Sequence, residues 1–370
     1  MFYFFQPLYL EELGADPVKI GGILGLVGLA TGLSFLPAGY LSDRLGRRPM
    51  IYFAWILGTI AAWIMAIANS LSLFVVGMVF YGMTAYVTVP LNSYITHARG
   101  KWSVGRTITF ISASFSLGFI VGPLIGGWLG AKSGLHANFK YAGLIFIIST
   151  LMIFFIRSQP VESHESAGKS DGLKSFKNIR YIQFIVLVFL IMFSLYLPQP
   201  LTQNFLRNER DLNLIQIGQL ISARSIGVVL LNLFLGQLNS RLGLLIAQLC
   251  IAIFTLSIWW GSNFQIYLLG YTMLGAYVTA RGLIMAQGRT LVQAANMGIT
   301  YGMIETVNAM ALITGPVIAG FLYTQNPELI YSASIVLILF GFIVNLLWSP
   351  IKSQDVFRFE ENEKVTRITS

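Results

Sequence analysis

The sequence predicts an all-α integral membrane protein of two six-helix bundles in a pseudo-twofold repeat, with a truncated first span. Three observations carry this. First, the chain is written twice: Gly82 matches Gly275, Gly105 matches Gly298, and Gly122-Pro123-Leu124-Ile125-Gly126 matches Gly315-Pro316-Val317-Ile318-Ala319, each about 193 residues apart. Gln6-Pro7-Leu8 recurs as Gln199-Pro200-Leu201 at the same offset. Between these matches the second copy gains about four residues, so Gly39-x3-Asp43-Arg44-Leu45-Gly46 returns as Gly236-x3-Ser240-Arg241-Leu242-Gly243. Second, 55% of residues are hydrophobic and only 11% charged, far below the soluble average of about 25% charged. Third, the apolar runs approach the ~20 residues that cross a bilayer core.

The elements follow in order. Only ten residues precede Glu11, which as helix cover ~15 Å of a ~30 Å core, whereas the second copy reaches back from Gln199 to about Tyr181. About a dozen residues of span 1 are therefore expected to be missing. A signal peptide fits less well, because the segment lacks a basic start and a small-residue cleavage site. Spans 2 and 3 are predicted at about 20–40 and 50–69, and spans 4, 5 and 6 at about 73–95, 107–130 and 141–156. The polar stretch 157–180 reads as a linker between an N-terminal bundle (1–156) and a C-terminal bundle (181–349). Spans 7 to 12 are predicted at about 181–205, 215–236, 244–260, 266–287, 298–323 and 330–348, followed by a polar tail at 350–370. That makes eleven full spans and a partial one.

The formal charge of +9 is explained by topology and not by nucleic-acid binding. With the turn 11–19 outside, about 17 Lys and Arg fall on the opposite face and 5 on this one, and the positive-inside rule makes the basic face cytoplasmic. The expected location is the inner or plasma membrane, with both ends of the full-length chain cytoplasmic. Cys250 is the single cysteine, and His97, His136 and His164 fall in loops or linker, so no metal site and no disulfide framework is expected.

The basic turn between spans 2 and 3 reads Gly39-x3-Asp43-Arg44-x-Gly46-Arg47-Arg48. Glycine permits a tight turn and close backbone approach, and Asp43 at a helix end suits the positive N-terminus of a neighbouring helix. The arginines are open to a second reading as topogenic charges. This loop, its degenerate copy between spans 8 and 9 and the twelve-span plan resemble the major facilitator superfamily. The resemblance covers the whole chain. It implies that Asp43 latches the cytoplasmic side against the start of span 11, near Asn296-Met297-Gly298. Ser240 replaces the acid in the second copy, so no matching latch is expected there.

Span 5 carries Gly118-x3-Gly122-Pro123-x2-Gly126-Gly127. Small residues four apart let helices approach, and Pro123 removes a backbone hydrogen bond and invites a bend. This is similar to the superfamily's antiporter motif, although Thr109 stands where its leading glycine is usual. A plain helix-packing face is the other reading. Met78 stands where many proton-coupled exporters of the superfamily carry an arginine, which weakens the expectation of a relay in the N-terminal half.

Away from span ends there are three ionisable residues: Arg224 in span 8, Arg281 in span 10 and Glu305 in span 11. A mid-membrane charge costs at least ~2.5–3.5 kcal/mol unless paired or hydrated. Arg281 and Glu305 lie ~9 and ~11 Å from the cytoplasmic helix ends, so they are expected to pair. Arg224 would bind an anionic substrate or join them as a triad. The pair is read either as a structural salt bridge or as a proton-coupling site in which Glu305 titrates. The superfamily plan places spans 1, 4, 7 and 10 around a cavity, which makes Gln6, Thr88, Asn92, Tyr196, Gln199, Gln203, Tyr277 and Arg281 its polar or aromatic lining. Taken singly, each such residue reads first as an interhelical hydrogen bond; taken as a set they suggest a moderately polar, aromatic pocket.

Other classes fit less well. There is no filter loop of a channel, no clustered His, Asp, Glu or Cys of a membrane enzyme, and no Gly-rich phosphate-binding Lys-Ser/Thr motif. The reading is a secondary transporter, not an enzyme, that needs no cofactor. It alternates access by rocking two halves and exports a small organic solute against protons, as a monomer in the bilayer. A metabolite or sugar symporter or facilitator of the same fold is the alternative, followed by a non-transporting receptor or scaffold.

Overall fold

A computed structural model describes residues 1–98, 100, 102–157, 179–290 and 297–348. Inside its helices the side chains of 36–45, 89, 93, 96, 104, 108, 179–181, 290, 297–299 and 348 fall outside that description. Most of the linker and the tail, read above as 157–180 and 350–370, therefore lie beyond the described residues.

The fold is all-helical. In the N-terminal half a 3-10 turn over Tyr3–Phe5 leads into α1 (Gln6–Glu12), α2 (Pro17–Leu45), α3 (Arg47–Ile67), α4 (Leu71–Met83), α5 (Thr88–Ala98), α6 (Val104–Ser133) and α7 (Leu135–Ile153). The C-terminal half holds α8 (Ile179–Tyr196), α9 (Thr202–Asn208), α10 (Leu214–Leu235), α11 (Ser240–Trp260), α12 (Phe264–Leu274), α13 (Ala276–Thr290), α14 (Met297–Gln325) and α15 (Leu329–Trp348). Ten helical segments of the described residues are long and apolar enough to cross a membrane, and Ile182–Tyr196 adds a shorter apolar one. The eleventh full span expected from sequence is this shorter helix, continued past a break by α9.

Local chemistry sets the ends. Asp16 precedes Pro17 and accepts from the Lys19 amide at 2.8 Å, capping α2 while proline starts it. That backbone bond, with the Lys19 ammonium 3.0 Å away, holds the Asp16 carboxyl below its ordinary range. Asn213 and Gln216 form a reciprocal capping box at the start of α10. Gly46, at φ 84°, makes the turn from α2 into α3 that its place in the basic loop requires.

One boundary differs clearly from the expectation. The sixth span was predicted to start at 141, yet α7 starts at Leu135. Its polar first turns are satisfied inside the bundle: Asn138 donates to the Gly126 carbonyl at 3.0 Å, and a His136 ring nitrogen lies 2.7 Å from the Ala66 carbonyl oxygen. Hydropathy alone reads such residues as loop.

The broken spans come in repeat-related pairs. The fourth span kinks through a 3-10 segment over Thr84–Val87, and the tenth breaks at Gly275, the counterpart of Gly82. Each of these glycines lies against a neighbouring helix: a Cβ on Gly82 would come within 3.0 Å of the Thr31 hydroxyl, and one on Gly275 would overlap Gly227 and Val228. The first span enters its helix at Gln6-Pro7, and the seventh breaks over Leu197-Pro198-Gln199-Pro200-Leu201, where proline cannot donate.

Two seams join the halves, and they obey the repeat carbonyl by carbonyl. On the α2–α14 seam, a Cβ on Gly21 would overlap the Pro316 carbonyl oxygen and one on Gly320 would come within 2.5 Å of the Pro17 oxygen. On the α6–α10 seam, a Cβ on Gly218 would come within 2.5 Å of the Pro123 oxygen and one on Gly127 would overlap the Leu214 oxygen. Every residue of the second set is the repeat counterpart of one in the first. Of the span-5 glycines, Gly127 thus packs across the seam, Gly122 and Gly126 receive Met1 and Phe5, and Gly118 has nothing within 4 Å.

The seams seal one end of the molecule, the end bearing Glu11. There α1 meets α9: Asn204 donates to the Pro7 carbonyl at 3.1 Å and to Glu11 at 2.5 Å, Asn208 donates to Glu11 at 2.6 Å, and Arg207 donates to Glu12 at 3.1 Å.

Candidate functional site

The site is built from the middles of the broken spans and of α10 and α14. Tyr277 and Arg281 stand one turn apart on α13, and Glu305 and Asn308 nearly one turn apart on α14, so each pair shares a helix face. The two faces meet. Arg281 donates through Nε to Glu305 Oε1 at 3.1 Å and through Nη2 to Oε2 at 2.5 Å, while the Tyr277 hydroxyl lies 3.3 Å from Asn308 Oδ1. The Arg281–Glu305 contact is bidentate, the strongest geometry for this pair type. It is not shut away: the two side chains are 47% and 39% exposed.

Tyr196, at the end of α8, stacks obliquely on Tyr277 with ring centroids 5.8 Å apart. Gly315 of α14 makes room for it, since a Cβ there would come within 2.9 Å of the Tyr196 ring. From the other half come Tyr3 and Phe4. Tyr3 is 52% exposed, with its ring 5.5 Å from Phe4 and 6.5 Å from Tyr81. An exposed ring beside Phe4, which itself meets Arg224 of the second half, faces the space between the halves. Arg224, on α10, is half-buried with its guanidinium 5.9 Å from the Phe4 ring centroid.

The sequence-predicted residues divide accordingly. Arg281 and Glu305 come together, and Tyr196 and Tyr277 join them. Arg224 does not complete a triad: among the described residues no carboxylate forms a salt bridge with it, and Glu305 pairs with Arg281. Gln6 is buried at 3% exposure and its amide points to Met65 Sδ at 3.7 Å. Gln199 is also buried and donates to the Leu195 carbonyl at 2.7 Å, closing the break in its own span. Gln203 is half-buried on α9, with its carbonyl oxygen lacking a partner. Thr88 bonds the Ala85 carbonyl at 3.2 Å and Asn92 is exposed on α5.

In the basic loop, an Arg47 guanidinium nitrogen lies 2.9 Å from a His97 ring nitrogen, and Arg48 donates to the Tyr52 hydroxyl at 2.6 Å. Gly39, Asp43 and Arg44 belong to α2, but the side chains of 36–45 and all of 291–296 lie outside the described residues, and the expected latch falls on them.

Tyr3, Phe4 and Asn308 were missed. A signal for Tyr3 was present, since it is the repeat counterpart of Tyr196. No sequence signal marks Phe4 or Asn308, whose roles arise from helix rotation.

A family model described as Major Facilitator Superfamily matches residues 1–295. An uncharacterized MFS-type transporter of Methanocaldococcus jannaschii is 26% identical over 83% of this chain and 80% of its own length. Multidrug resistance protein 2 of Bacillus subtilis is 25% identical over 94% of this chain and 90% of its own length. A crystal structure of a mutant form of the nucleoside transporter NupG overlays with a TM-score of 0.79 at 17% identity, covering 92% of this chain and 93% of that one. At that identity the likeness is one of fold.

Proposed function

The chain belongs to the major facilitator superfamily, and from that membership we propose that it is a secondary exporter, moving a small organic solute out of the cell in exchange for protons. The observation that carries this reading is the half-exposed, bidentate Arg281–Glu305 pair. While Glu305 is ionised the pair ties α13 to α14. Protonation removes the anion and frees the Arg281 donors, so one proton changes how these two helices hold each other. The change is well placed for coupling. α14 carries both Glu305 and, two to three turns on, the Ile313 and Pro316 carbonyls against which α2 of the other half packs. α13 starts at the Gly275 break, where a span yields most easily.

Direction follows from charge. If the basic end is cytoplasmic, the sealed Glu11 end faces outward, and the solute loads from the inside, as an exporter requires. The similarity to a multidrug resistance protein supports export over uptake.

The test compares small-molecule contents of cells expressing the wild type or Glu305→Gln at equal membrane levels. Solutes depleted by the wild type are expected to be retained by the variant, and solute-driven proton flux in vesicles should fall about tenfold or more, as for loss of a positioned proton carrier. Wild-type pH dependence of transport in the variant would sink the coupling role, and accumulation instead of depletion would reverse the direction.

A further inference from the structure

We propose that the space between the halves binds an organic anion with an aromatic body, its acidic group held by Arg224 and its ring by Phe4, Tyr3 and Tyr196. This rests on the reading of the chain as a solute carrier, and it names the class of solute.

Between the ends of the described spans the space holds two guanidiniums, Arg224 and Arg281, against one carboxylate, Glu305. Both Glu305 oxygens accept from Arg281. Arg224 is left with the Phe4 ring as its described contact. A cation held in low dielectric without an anion is costly, and it selects a ligand that supplies one. A cationic solute would meet net positive charge, with the one acid already taken.

Shape and polarity point the same way. A guanidinium over a ring face satisfies its plane and leaves its N–H edge free, the edge that matches a carboxylate or sulfonate in two parallel hydrogen bonds. Phe4 lies under it at 5.9 Å with Tyr3 beside Phe4 at 5.5 Å in one half, and Tyr196 packs on Tyr277 at 5.8 Å in the other. Aromatic rings converging from two directions suit a flat apolar ligand, which they can meet edge to face. The half-exposure of Tyr3 and the partial exposure of Tyr196 and Arg224 leave these surfaces accessible. Because the rings belong to both halves, such a ligand would touch both, as a carried solute must.

The experiment uses the full chain in lipid nanodiscs and three near-isosteric probes: 1-naphthoate, its neutral amide and 1-naphthylmethylammonium. Binding is read from quenching of intrinsic fluorescence. Wild type is expected to bind the anion about tenfold or more tighter than the other two, as for a desolvated charge contact. Arg224→Gln should erase that preference while leaving the weak affinity for the amide in place, and Arg224→Lys should keep part of it. Equal or tighter binding of the cation or the amide by wild type overturns the proposal, as does failure of all three to bind. Should Arg224→Gln not fold, Arg224→Lys and the wild-type ranking still decide. Parallel flux measurements separate the two readings. Arg224-dependent anion binding without flux would leave this site standing and remove the carrier, whereas flux confined to cations would do the reverse.

Discussion

The α2–α14 and α6–α10 seams are the same contact written twice, and they differ in one respect. At the sealed end both bring glycine against a helix carbonyl, Gly21 on Pro316 in one and Gly218 on Pro123 in the other. One to two turns further in they diverge. In the first seam Gly25 and Gly28 face the Ile313 and Leu312 oxygens, which a Cβ would approach to 2.7 and 3.2 Å. In the second the counterpart residues are serines: Ser222 donates to the Ile120 carbonyl at 2.7 Å, and Ser225 donates to the Phe119 carbonyl at 3.0 Å. The difference separates what the rocking plan requires from what it tolerates. Close backbone approach at the sealed end is common to both copies, so shape is the shared requirement. Hydrogen bonding is an addition on one side only.

The largest effect is expected where the copies agree. Gly21→Val and Gly218→Val each drive a side chain into a carbonyl on the facing helix, and overpacking of this kind costs about 1–3 kcal/mol or more. Both variants should prevent closure of the Glu11 end and abolish transport to a similar extent, measured as flux together with labelling of an introduced cysteine near Gly14. Normal flux in either one would show that its seam does not need the close approach.

A smaller effect is expected from the clamp between α1 and α9. Glu11→Ala removes the acceptor for Asn204 and Asn208, charge-assisted bonds of about 1.5–3 kcal/mol in dry surroundings and less at this exposed end. The expected result is broader separation between spin labels on the two halves at that end, with transport reduced and not lost. An unchanged distance distribution would mean that the glycine seams alone keep the end shut.

The smallest effect sharpens the difference between the seams. Ser222→Ala with Ser225→Ala should lower stability by about 0.6 kcal/mol per bond, the average for hydrogen bonds between membrane helices, seen as a slightly lower melting midpoint in detergent. Introducing the serines on the other seam should not be symmetric. Gly28→Ser is expected to be tolerated and Gly25→Ser to destabilise, because a Cβ at Gly25 would meet its facing oxygen at 2.7 Å and one at Gly28 only at 3.2 Å. Equal tolerance of the two would remove the argument that the glycine seam is the tighter one.

Much of the fold was legible because span length, repeat and helix-packing glycines are local patterns. The Arg281–Glu305 contact was legible too, since depth along a helix follows from residue count and the cost of a lone charge demands a partner. The cavity lining was less so. Gln6 and Gln199 share a repeat position beside proline, which suggested a shared polar wall. Instead both amides turn inward, that of Gln6 to Met65 and that of Gln199 back to its own span. A proline announces that a span bends without saying how far the next turn rotates.

By itself the sequence determined how many times the chain can cross a membrane, which segments are copies of one another, where backbones can touch and which three side chains carry charge in the interior. These follow from hydropathy matched to bilayer thickness and from the absence of a side chain on glycine. Only the tertiary structure decided that Arg281 takes both oxygens of Glu305 while Arg224 is left facing Phe4, and that Tyr3 rather than Gln6 reaches the space between the halves. The rotation of a helix about its axis is set by the sum of its contacts with every neighbour, and no single segment of sequence contains that sum.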